Sequence, residues 1–148
     1  MTNQPLAMVE QLRDATNAHD LDALVDCFAE SYRNETPAHP GRGFIGREQV
    51  RTNWRQIFQM VPDVRATVQN TVTHGQEVWS EWEMSGTRPD GSPHLMRGVI
   101  IFGVEAGRAG WARFYLEPVD AGDEGATAAV RKIVGATSAA SDGQEVDA

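Results

Sequence analysis

The chain has 148 residues, 41% of them hydrophobic, with a net charge of −8. This length is that of one domain with enough apolar material for a core. No apolar run approaches the ~20 residues of a membrane span, and the acidic balance disfavours nucleic acid as a partner. The single cysteine, Cys27, excludes an internal disulfide and fits a cytoplasmic protein. The opening residues show no basic-then-apolar pattern, so no signal peptide is expected.

Three helices are predicted first. Leu6, Val9 and Leu12 recur at helical spacing behind Pro5. Leu21, Leu24, Val25 and Phe28 form a second apolar stripe, with Asp20 as its N-cap. Val50, Trp54, Ile57, Phe58 and Val61 form a third, which Pro62 ends. Between the second and third, "SYRNETP" reads as a short strand and "AHPGRGFIG" as a loop. The period then changes to two over segments near 63–74, 76–87, 95–105 and 110–118, joined by short Gly-bearing links. Such links predict an antiparallel meander. A weak helix is expected over about 124–134, and residues 137–148, small, polar and acidic, as a disordered tail after a domain over 1–136. Helices followed by a long-stranded sheet predict an α+β fold: a cone-shaped, curved antiparallel sheet wrapped around three N-terminal helices, with a cavity inside.

The element order, with "NAHDLDALVDCFAESYRNETP", "GREQVRTNW", "MRGVIIFGVEAGR" and "RFYLEP", resembles the nuclear transport factor 2-like superfamily over roughly residues 6–120. Within it the sequence is most similar to the SnoaL-like group, which includes polyketide cyclases, ketosteroid isomerases and limonene-1,2-epoxide hydrolases. The resemblance to the epoxide hydrolases implies that Tyr32 and Asn34 take the water-holding positions. It implies that Glu117 in "YLE" takes the place of their last-strand carboxylate. Their Arg-x-Asp pair corresponds to Trp82 and Met84, which argues against that hydrolysis. The isomerases' catalytic tyrosine and base fall on Leu12 and Thr36, which argues against isomerisation of their kind.

If Glu117 occupies the family's pocket position, the period of two turns Tyr115 and Arg113 inward as well and leaves Phe114 and Leu116 on the convex side. An apolar convex face predicts a homodimer. Glu117 is the expected proton carrier, with Tyr32 and Asn34 assisting. Its structural alternative is an ion pair with Arg97 or Arg113. Trp54, Phe58, Trp82, Met84, Val99 and Ile101 are the expected wall, and His39 lies in the loop at the cavity mouth. His19, His74 and His94 read as surface residues. No histidines or acids share metal-ligand spacing, and there is no phosphate loop, so neither metal nor cofactor is expected. Two functional readings stay open. One is an apolar pocket for a small cyclic or polyketide-like molecule with cofactor-free acid–base chemistry. The other is a non-catalytic ligand-binding or protein-association domain.

Overall fold

A computed structural model describes residues 3–136; the tail expected over 137–148 lies outside them. Helix α1, Gln4–Ala18, starts where the sequence equips it to. The Asn3 side chain accepts from the Leu6 N–H at 3.2 Å, and Pro5 sits in the first turn, where its missing N–H costs nothing. One stripe of α1, with Met8, Val9, Leu12 and Ala15, is buried. Asp20 caps α2 (Leu21–Asp26), accepting from the Ala23 N–H at 3.1 Å. The stripe expected to run on through Phe28 stops at Asp26, and Phe28 instead opens strand β1, Phe28–Glu35, with its ring edge-on to Tyr32 at 4.7 Å. A 3₁₀ turn, Pro40–Arg42, and the two-residue strand β2, Phe44–Ile45, lead to α3, Arg47–Met60.

The remaining strands are β3 (Arg65–His74), β4 (Glu77–Thr87), β5 (Pro93–Glu105) and β6 (Arg108–Pro118), followed by α4 (Ala126–Ile133), which buries no residue. β3 to β6 form the expected antiparallel meander, and β1 lies beside β6 in parallel, giving the order β2-β1-β6-β5-β4-β3. The result is the α+β cone: a curved, open six-stranded sheet with α1 packed on β3 to β6 and α3 on β1.

Directly paired residues in a sheet share a face. Val78, Phe102 and Ala112 form one row, and Ser80, Ile100 and Phe114 the next. Trp82, Gly98 and Leu116 follow, then Met84 and Met96. Most of these side chains are buried in the core under the helices, so these rows are the concave side. The interleaved rows, Trp79–Ile101–Arg113, Glu81–Val99–Tyr115 and Glu83–Arg97–Glu117, are the convex side.

This corrects the sequence expectation for β5 and β6. Arg97, Val99, Ile101, Arg113, Tyr115 and Glu117 face away from the cone, and Phe114 and Leu116 face into it. The physical reason is the pairing of Ile100 with Phe114, which sets the Phe114 ring 6.4 Å from the fully buried Phe102. A register read one residue away exchanges the two faces entirely.

Gly98 stands where β5 and β6 leave no room for a side chain. Its φ is +151°, and a Cβ there would collide with the Tyr115 carbonyl oxygen and stand 2.8 Å from Leu116 Cα. A glycine lets β5 and β6 approach this closely. It also leaves its row to the Trp82 indole, which is fully buried and donates to Ser80 Oγ at 2.8 Å.

Candidate functional site

A cavity of about 290 Å³ opens between α3, the concave sheet face and the segment after β1. β1 contributes Phe28, Tyr32 and Asn34, because alternate residues of a strand share a face. α3 contributes Val50, Asn53, Trp54 and Ile57, spaced three and four apart along one side of the helix. The sheet contributes Met84, His94, Met96, Phe114 and Leu116, and the connecting segment Thr36, Arg42 and Phe44. A larger depression of about 610 Å³ lies at the hairpin end between Trp79 and Trp111. It lies along the outer ends of β3 to β6 and the Gly75–Gln76 turn, whereas the smaller cavity combines apolar walls with convergent polar groups. We therefore take the smaller one as the candidate site.

Its polar groups form a chain along one strand. The Tyr32 hydroxyl donates to Asn34 Oδ1 at 2.7 Å, and the Asn34 amide donates to Thr36 Oγ1 at 3.4 Å. Burial pushes the Tyr32 phenol well up from its ordinary value, so it stays a neutral donor. Burial, with a smaller effect from Arg88, pushes the His94 imidazole down. No aspartate or glutamate lines the cavity.

The sequence-predicted residues separate into three groups. Tyr32, Asn34, Trp54 and Met84 line the cavity. Phe58 and Trp82 stand behind the lining: Phe58 packs on Trp54 at 5.5 Å, and Trp82 belongs to the sealed core. The others lie elsewhere. Arg97 pairs with Glu83 at 3.1 Å, and Arg113 pairs with Glu35 at 3.3 Å while lying over the Trp111 ring. Val99, Ile101 and Tyr115 lie on the convex side. Glu117 forms an ion pair with neither arginine; its carboxylate meets His39 Nε2 at 3.2 Å. This contact ties the segment after β1 to the end of β6, outside the cavity lining.

Several lining residues escaped the sequence reading. His94 opens a strand, where the sequence predicts a surface position. Phe114 and Leu116 have the parity expected of the convex side. Asn53 and Arg42 carry no periodic signal. Phe28 continues a helical stripe in the sequence but begins β1.

The sequence profile of the SnoaL-like domain matches residues 9–113. No curated protein sequence matches the chain. Among solved structures, it is similar to IdmH, a candidate polyketide cyclase from Streptomyces antibioticus. The identity is 26% and the TM-score 0.67, over 77% of this chain and 92% of that one. It is also similar to an epoxide hydrolase of Mycobacterium tuberculosis, with 17% identity and a TM-score of 0.68 over 78% and 84%. A third is RV0760c of Mycobacterium tuberculosis, solved with estradiol-17β-hemisuccinate, with 19% identity and a TM-score of 0.68 over 77% and 94%. The last two likenesses show the fold alone.

Proposed function

The chain belongs to the SnoaL-like domain family, and on that premise we propose that its cavity binds a small, apolar, cyclic or polyketide-like molecule. The observation that carries this is a cavity of about 290 Å³ whose aromatic and aliphatic walls enclose one hydrogen-bonded chain, Tyr32–Asn34–Thr36. Apolar walls supply affinity and a few fixed polar groups supply orientation. In this reading Trp54 and Met84 contact the ligand face, Phe58 and Trp82 back the wall, and Asn34 takes a hydrogen bond from, or gives one to, a ligand oxygen. A protein of the same fold solved with a steroid derivative supports the size class.

Between the two functional classes, the lining favours binding without turnover. Proton transfer by a carboxylate needs one within hydrogen-bond reach of the reacting atom, and the lining has none. The test is calorimetric titration with neutral polycyclic ketones and alcohols, using wild type and Leu116→Trp, which fills the cavity from the sheet side. Binding should fall at least tenfold in the filled variant. Equal affinity in both proteins would place the ligand elsewhere and sink the proposal.

We also infer a homodimer through the convex face, in a compartment where Cys27 stays reduced. The support is the exposure there of Val72, Trp79 and Tyr115, at 64%, 48% and 43%, three large side chains on one face of the sheet. Light scattering on wild type and Trp79→Glu tests it, with a monomeric wild type at micromolar concentration as the refuting result.

A further inference from the structure

Arg42 is the only Lys, Arg, Asp or Glu residue in the cavity lining, and it is exposed. No described carboxylate pairs with it, whereas Arg13, Arg33, Arg51, Arg97, Arg108 and Arg113 each meet one. Arg47, Arg55, Arg65, Arg88 and Arg131 also meet no described carboxylate, but none of them borders the cavity; Arg42 is set apart by its place in the lining.

The backbone holds Arg42 there. It ends the 3₁₀ turn that Pro40 begins, and its N–H donates to the His39 carbonyl at 2.9 Å. His39 is fastened to Glu117, and its N–H donates to Thr36 at 2.7 Å. Beyond the turn, Gly43 passes so close to β1 that a Cβ would stand 3.2 Å from the Asn34 carbonyl oxygen, and Phe44 pairs with Asn34. The turn is thus fixed at both ends, and its one cation borders the cavity.

We infer that the ligand is an organic anion: an apolar ring system carrying a carboxylate, or a group of the same charge, that meets Arg42 at the cavity mouth while the rings fill the interior. This deepens the binding reading above and rests on it. A guanidinium offers two parallel donors to a carboxylate, and such charge-assisted bonds are stronger than neutral ones. A neutral ligand of the same shape gains the walls but not this contact.

The experiment uses the whole chain and matched probes: aromatic carboxylates of one to three rings and their primary alcohols, titrated by calorimetry into wild type and Arg42→Gln. In wild type the acid should bind at least about tenfold tighter than its alcohol. The preference should shrink with added salt and fall to within about twofold in Arg42→Gln. Equal binding of acid and alcohol to wild type overturns the anion inference and leaves the cavity reading standing. A preference that survives in Arg42→Gln overturns the assignment to Arg42. Failure of every probe to bind overturns both.

Discussion

Replacing Tyr32 with Phe removes one oxygen from the most enclosed polar group of the site. Tyr32 has no exposed surface, and its ring contacts with Phe28 and Phe44 do not involve the hydroxyl. What is lost is the 2.7 Å bond to Asn34 Oδ1. A neutral hydrogen bond contributes about 1 kcal/mol net, and stranding a buried acceptor costs about 1–3 kcal/mol. Asn34 is half-buried and borders the cavity, so water can replace part of the lost donor. The lower end applies: about 1 kcal/mol, or roughly 3–5 °C in melting temperature for a domain of this size. Urea unfolding of Tyr32→Phe, Asn34→Leu and the double variant measures it as a cycle. The pair should couple by about 0.5–1 kcal/mol, the double variant losing less than the sum of the singles. Strictly additive losses would refute the idea that these two side chains act as one unit.

Four further outcomes are expected. Phe114→Ala should cost about 2 kcal/mol or more by opening the core beside Phe102, whereas Tyr115→Ala should cost under about 1 kcal/mol in the monomer; chemical denaturation distinguishes them, and the reverse order would invert the two faces of β6. Gly98→Ala should prevent stable folding, seen as loss of the cooperative thermal transition, because both the positive φ and the β6 backbone oppose a Cβ. Asp20→Ala should destabilise by about 1 kcal/mol through loss of the α2 cap, with Asp20→Asn restoring most of it. Burial pushes the Cys27 thiol up to about 11 and the Tyr32 phenol upward too, so the unfolded chain releases these protons at lower pH than the folded one. Stability is fully present below about pH 9 and declines as the pH rises towards 11; a denaturation midpoint unchanged from pH 8 to 10.5 would count against it.

The cone was legible because its signals are local. Helical stripes with caps, then period-two segments joined by glycine-bearing turns, specify element type without long-range information. Phe28 was misplaced because four apolar residues at helical spacing outweighed the chain's turn after Asp26. The site was only half legible. Tyr32 and Asn34, which line the cavity, stand in a motif that the sequence displays. In β6, however, Trp111 and Tyr115 on one face match Phe114 and Leu116 on the other in size, so composition cannot rank the faces. Only the pairing of Ile100 with Phe114 decides, and that is a contact between strands rather than a property of either. Arg42 and His94 reach the cavity through turn and strand-end geometry, which leaves no period to read.

The parallel pairing of β1 with β6 has a consequence for how the molecule is made. Asn34 and its partner Ala112 are 78 residues apart in a chain of 148, so as the chain leaves the ribosome β1 waits through about half of synthesis before this neighbour exists. Until then β1 has only the two-residue β2 beside it, and the half-cone from β3 to β5 offers an open edge. Contacts so distant in sequence form slowly, and unpaired edges invite association. The cavity, walled by the first strand and the last, is therefore the last feature to appear, and a chain cut short before Phe114 would have helices and hairpins but nothing in which to hold a ligand.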